Sequence, residues 1–156
     1  MAMVPKLDAK LIQTQEEIQF VESMFTAKIK LEKLYTATTD GFHGEKYHAK
    51  CNHKNDILTV VESEHGKKFG GYTSVQFDST NKWYADSKAF IFSLSNRTKH
   101  PLKDTNTKYS FCPYPTGVII YFGQGVDICI RNDCQSNNSS NCNFGNTYQL
   151  PAGMTY

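Results

Sequence analysis

Two apolar runs three residues apart constrain this chain most. Val118-Ile119-Ile120-Tyr121-Phe122 is continuously apolar, and Val126-Asp127-Ile128-Cys129-Ile130-Arg131 alternates apolar with polar residues. A continuous run fits a strand buried on both faces, and a period of two fits a strand with one wet face. Gly123-Gln124-Gly125 between them supplies the turn of a hairpin. The same texture holds from Tyr35 onward, where short apolar runs alternate with glycine and turn residues. Strands are predicted at 57–62, 69–77, 89–94, 108–111, 117–122 and 126–131. The stretch 132–146 holds six Asn and three Ser and reads as a surface loop. Many short strands with few helices predict a mostly β chain, folded as a two-sheet antiparallel sandwich with peripheral short helices.

The first part of the chain is different. Residues 7–34 contain neither Gly nor Pro and are rich in Gln, Glu, Lys and Ala, all good helix formers. Val4, Leu11, Ile18 and Phe25 recur every seven residues, with Leu7 and Val21 three positions after Val4 and Ile18. Thr14 and Lys28 break that second position. The pattern predicts a helical arm over residues 1–34, its helix of 7–34 about 40 Å long, ahead of a sandwich over 35–156. Such a helix lies on its own domain or continues a coiled coil, or it docks on a partner through Leu11, Ile18 and Phe25. The heptads leave these readings open.

Charge narrows the partners. The 17 Lys+Arg against 15 Asp+Glu give a net charge of +2, far from the basic excess of a nucleic-acid binder. That points to protein partners and not to nucleic acid. No stretch approaches the ~18 apolar residues of a membrane span, so no membrane insertion is expected. The start, Met-Ala-Met-Val-Pro-Lys, turns polar at once and lacks the pattern of a secretory signal. The five cysteines are an odd number in no compact framework, which predicts reduced thiols and a cytoplasmic chain.

Chemistry-bearing motifs are scarce. His43, His48, Cys51 and His53 offer zinc-type ligands, but their spacing matches no closed zinc module. Cys112, Cys129, Cys134 and Cys142 form no C-x-x-C pair. No nucleophile elbow, metalloprotease helix or phosphate-binding lysine loop occurs, and no helix signal follows Gly70-Gly71 or Gly123-x-Gly125. No catalytic residue, metal ligand or cofactor is therefore assigned.

Several ordered segments resemble the TLDc domain, shared by the oxidation-resistance proteins and nuclear-receptor-coactivator relatives. Leu34-Tyr-Thr-Ala-Thr-Thr-Asp40-Gly41-Phe42, Tyr47-His48-Ala-Lys-Cys51-Asn52 and Leu58-Thr59-Val60-Val61-Glu-Ser63 are similar to its opening. Phe69-Gly70-Gly71-Tyr72-Thr73, Trp83 and Ala89-Phe90-Ile91-Phe92-Ser93-Leu94 are similar to its glycine–aromatic strand, tryptophan and next strand. Phe122-Gly123-Gln-Gly125-x-Asp127-Ile128 and Gly145-Asn146-Thr147-Tyr148 are similar to its late segments. The resemblance runs from Leu34 onward and implies a two-sheet sandwich. In it Gly70 and Gly71 permit close packing, while Trp83, Phe90 and Phe92 anchor the core. It further implies a non-catalytic interaction or scaffold module, acting on the vacuolar proton pump or within a cytoskeletal or ciliary assembly. The alternative is a thiol-based oxidative-stress-resistance protein, for which Cys51 and Cys134 are the better candidates. Members continue past the Gly-Asn-Thr-Tyr segment into a closing strand, whereas this sequence ends at Leu150-Pro-Ala-Gly-Met-Thr-Tyr156. The expectation is a sandwich lacking that strand, either as a fragment or with a partner filling its place by strand addition.

Overall fold

The structure, a computed structural model, describes residues 11–154. Three helices, α1 (Gln15–Ser23), α2 (Ala37–Asp40) and α3 (Gly44–Cys51), precede six strands. These are β1 (Ile57–Glu62), β2 (Lys68–Thr73), β3 (Phe90–Ser93), β4 (Thr98–Pro101), β5 (Val118–Phe122) and β6 (Ile128–Arg131). The first four form one antiparallel sheet in the order β1-β2-β3-β4, and β5 and β6 form a second. The second sheet is widened by single bridges. Phe111 pairs with both Tyr84 and Phe122, and Asn141 pairs with Cys129. The fold is the β-rich sandwich that the sequence predicts.

Period-two patterning explains how both faces of the four-stranded sheet are used. Ile57, Val61, Phe69 and Ile91 share one face, packed with Ile119, Ile120, Phe122, Ile128 and Ile130 of the second sheet. Leu58, Val60, Tyr72, Phe90 and Phe92 share the other, covered by Ile12, Ile18, Val21, Met24, Phe25, Ile29 and Leu31. Gly71 makes the sheets fit, since a Cβ there would lie 2.7 Å from the Phe122 ring. A Cβ at Gly70 would lie 1.8 Å from the Thr59 carbonyl oxygen.

Three expectations need correction. The helix predicted over 7–34 spans only Gln15–Ser23 among the described residues; positions 1–10 lie outside them. Thr14, read as a heptad flaw, is the N-cap. Its hydroxyl accepts from the Glu17 N–H at 3.1 Å, and the Glu17 carboxylate accepts from the Thr14 N–H at 3.2 Å. This reciprocal pair is a capping box. Beyond Ser23 the sequence alternates, with Ile29 and Leu31 against the sheet and Lys28, Lys30 and Glu32 exposed. No helix forms over that stretch, whose period-two burial fits a sheet face and not a helical one. A helix of nine residues, about 14 Å long, offers no run of heptads.

The strand predicted at 108–111 is not one; only Phe111 pairs. Conversely β4 was not anticipated, because Thr-Lys-His-Pro contains no apolar run. It forms because the turn after β3, with Arg97 at φ 56°, returns the chain alongside Phe90–Ser93.

Candidate functional site

Two buried aspartates organise the polar interior. Asp127 follows the β5–β6 turn, where Gly123 and Gly125 take φ of 77° and 104°, a region that favours glycine. Its carboxylate is fully buried and filled by the backbone of the Gly145–Tyr148 stretch. Oδ1 accepts from the N–H of Gly145 at 3.1 Å, Asn146 at 3.2 Å and Tyr148 at 3.2 Å, and Oδ2 from Thr147 at 2.9 Å. The contact is too close for a side chain at position 123, where a Cβ would meet Asp127 Oδ2 at 2.1 Å. Asn146 closes the loop from the other side by donating to the Gly125 carbonyl at 3.0 Å.

Asp86 plays the matching part across the sandwich. Its carboxylate accepts from the Thr73 hydroxyl at 2.8 Å, the Ser74 N–H at 2.6 Å and hydroxyl at 2.7 Å, and the Lys88 N–H at 3.1 Å. Ser110 joins the two centres. Its hydroxyl accepts from the Asp86 N–H at 3.1 Å, and its carbonyl accepts from the Tyr148 hydroxyl at 2.8 Å. Buried carboxylates whose oxygens accept from backbone N–H groups and neighbouring hydroxyls hold loops in place. Neither aspartate was assigned a role from sequence. The available signal was a polar residue inside the alternating run at 126–131.

The other family-matching residues also stand in the frame. The Asp40 carboxylate accepts from the Thr36 N–H at 2.8 Å, Gly41 closes α2 at φ 105°, and the Phe42 carbonyl accepts from the Asp133 N–H at 2.7 Å. Phe90 and Phe92 are buried in the second cluster. Trp83 is the exception to the expected core anchors. It is half-buried, belongs to neither cluster and packs edge-on against Tyr109 and Tyr121 at 5.9 and 5.0 Å. Its run of two aromatics, between Lys82 and Ala85, is too short to carry a burial period.

Ile18 of α1 and Phe25 just beyond it lie against the chain's own sheet, with the Phe25 ring 5.0 Å from Tyr72 and 5.6 Å from Phe90. Leu11 is half-buried just before the cap. Two lysines of the sheet fasten this segment. Lys68 Nζ lies 2.9 Å from Glu17, and Lys99 Nζ donates to the Met24 carbonyl at 2.6 Å while sitting 4.3 Å from the Phe90 ring centre. Burial works to raise the Glu17 carboxyl, but Lys68 and the N–H groups of Gln13 and Thr14 prevail, and its pKa falls below the ordinary value.

The histidines and thiols do not converge. His43 is exposed, 3.3 Å from Asp133, and His53 is exposed on a left-handed backbone. His48 is buried, with Nδ1 3.1 Å from Asn52 Oδ1 and Nε2 without a hydrogen-bond partner. Burial pushes its pKa down against the opposing pull of Asn52 and Asp78. Among the described residues no group of three His, Cys, Asp or Glu is placed to hold a metal ion. All five cysteines are free thiols. Burial raises Cys51 and Cys112 to about 11, and raises Cys129 and Cys134 as well. Cys142 is raised too, although that residue as a whole is exposed. A thiol raised in this way is protonated near neutral pH and is a weak nucleophile.

The result is a mostly β, two-sheet domain whose interior carboxylates and hydroxyls fasten loops to sheets. The family model described as "TLDc domain" matches residues 7–154, and the chain belongs to the TLDc domain family. No curated protein matches the chain. Among the described residues no helix is long and apolar enough to cross a membrane.

Proposed function

We propose that this TLDc domain is a non-enzymatic module that binds proteins within a larger cytoplasmic assembly. The observation that carries this reading is the use of the interior polar groups. Asp86, Asp127, Ser110 and Tyr148 are consumed in holding the fold, which leaves recognition to the surface. Family membership supports a role in protein interaction in general. The finer reading is that the partner is a subunit of the vacuolar proton pump or a component of a cytoskeletal or ciliary assembly.

Affinity capture of the tagged full chain, with quantitative mass spectrometry, tests this. Enrichment of pump subunits or of axonemal proteins over a fold-matched control is expected. Capture of neither sinks the finer reading. The chemical alternative is separated by replacing all five cysteines with serine. Unchanged peroxide survival of cells carrying that variant supports the module. Lost survival with folding and partner capture intact assigns the function to the thiols.

A further inference from the structure

The outer side of the second sheet carries an aromatic surface that the fold does not use. Ile120 and Phe122 point into the main cluster, and Tyr121 between them points to the opposite side and stays half-exposed. Trp83 packs edge-on to Tyr121 with rings inclined at 62°, and edge-on to Tyr109 at 83°. Three partly exposed aromatic rings thus meet outside both hydrophobic clusters. Trp and Tyr supply large contact area at little entropic cost and dominate protein-binding surfaces.

Cations border this surface. Lys108 Nζ lies 5.4 Å from the Tyr109 ring centre, exposed Arg131 stands two residues along β6 from Cys129, the register partner of Tyr121, and exposed Lys82 precedes Trp83. The nearby carboxylates are already occupied. Asp78 accepts from Tyr84 and Thr80, and Asp86 is buried within its own network. Accepting from neutral hydroxyls and amides does not cancel a carboxylate's charge, but Asp86 is buried and Asp78 half-buried. Lys82, Lys108 and Arg131 are all exposed, so the exposed side chains bordering the rings are cationic.

We propose that the Trp83–Tyr109–Tyr121 face docks an acidic, extended segment of a partner protein, with its apolar side chains on the rings and its carboxylates on Lys82, Lys108 and Arg131. This rests on the reading of the domain as a protein-binding module. The ring geometry favours a peptide over single-stranded nucleic acid. Bases stack on aromatic faces, whereas these rings are set edge to face and Lys108 lies over one of the faces.

Trp83 is the single tryptophan of the chain, so its emission reports on this surface directly. The full chain is titrated with a blocked octapeptide alternating Glu and Phe, with its Lys–Phe counterpart, and with oligouridine. A saturable change with the acidic peptide alone is expected. It should weaken about tenfold or more in the Lys82→Glu/Lys108→Glu variant, whose circular dichroism should match the parent. No saturable change, an equal response to the basic peptide, tighter binding of oligouridine, or an unaffected double variant would each overturn the proposal. So would concentration-dependent self-association abolished by the same variant, because the occupant would then be a second copy. In the affinity-capture experiment, loss of the wild-type partners by this variant supports the surface. Retention of those partners overturns the surface and leaves the module reading standing. A wild-type chain that captures no partner counts against the module itself.

Discussion

Gly70 and Gly71 are neighbours on β2, yet they fail differently when substituted. A methyl group at 71 meets a side-chain ring, Phe122 at 2.7 Å, which can shift by relaxing the sheet contact. A methyl group at 70 meets the Thr59 carbonyl at 1.8 Å, and that oxygen belongs to the paired strand β1. Overpacking costs about 1–3 kcal/mol where neighbours can yield and more where they cannot. Urea denaturation should therefore place Gly71→Ala in that range and Gly70→Ala clearly below it in stability. Asp127 gives a second test at this scale. Replacement by Ala leaves four backbone N–H groups without their acceptor, and each orphaned buried donor costs about 1–3 kcal/mol. Asp127→Asn keeps one acceptor oxygen, but its NH₂ confronts either one or three of those donors, depending on the amide's orientation. Both variants should lose stability, Ala by more than Asn, with backbone exchange accelerated at Gly145–Tyr148. Equal losses would mean that the clamp works through shape alone.

Acid reads the buried histidines. His48 and His100 both have pKa values pushed below the ordinary 6.5 by burial, against the partial support of Asn52 and Asp78 for one and of the backbone at Gln149 for the other. An unfolded chain then takes up protons before the folded one. Stability is full above the unfolded value and falls as pH drops through about 6.5, until the folded values are reached. The melting temperature should be lower at pH 5 than at pH 7.5. His48→Gln should flatten the part of that slope owed to α3, and an unchanged slope in both single variants, His48→Gln and His100→Gln, would remove the histidines as its cause.

At the scale of elements, the segment around α1 shows how two periodicities competed. The heptad spacing placed Ile18 and Val21 on one face of α1, and Phe25, past the end of that helix, joins them in the same cluster. The spacing overran at both ends. Thr14 is a better cap than a helix-interior residue, and Lys28-Ile29-Lys30-Leu31-Glu32 already alternates. Local alternation with a sheet face to bury won over propensity. The Glu17–Lys68 pair, with side chains 9% and 15% exposed, fastens this element. Glu17→Ala removes an acceptor from two N–H groups and strands the Lys68 charge, and should cost about 3 kcal/mol. Lys68→Met strands the Glu17 carboxylate in turn, but leaves it held by the Gln13 and Thr14 N–H groups with the capping box intact, and should cost less. A comparable loss in both would assign the stability to the ion pair itself and not to the cap.

The strands of the molecule were more legible than its polar interior. β1 matches its predicted bounds, and the β5–β6 hairpin lies where the apolar runs and glycine turn place it, because those signals act locally. β6 begins only at Ile128, however, and the wet face read from its alternation is buried, with Asp127 covered by residues 145–148 and Cys129 paired with Asn141. β4 and the Phe111 bridge depend on partners far along the chain and leave no local period. The same holds for Asp86, Ser110, Tyr148 and Asp127, whose connection is purely spatial, and for Trp83, whose half-exposed position no spacing encodes.

Across the whole molecule, the four-stranded sheet belongs to both clusters, since Phe90 and Phe92 face one and Ile91 between them faces the other. Unfolding the sheet therefore exposes both clusters, but the 12–31 segment can lift from its one face while the sandwich behind stays closed. Hydrogen exchange measured by mass spectrometry should show amides of Gln15–Ser23 exchanging through a smaller opening than those of β2 and β3. Glu17→Ala should speed the first group and leave the second nearly unchanged. Asp127→Ala, which loosens the second sheet, should speed both groups together, because the sheet shared by the clusters then unfolds as a whole. Independent protection of β2 and β3 in Asp127→Ala would mean that the four-stranded sheet and its N-terminal cover are a folding unit of their own.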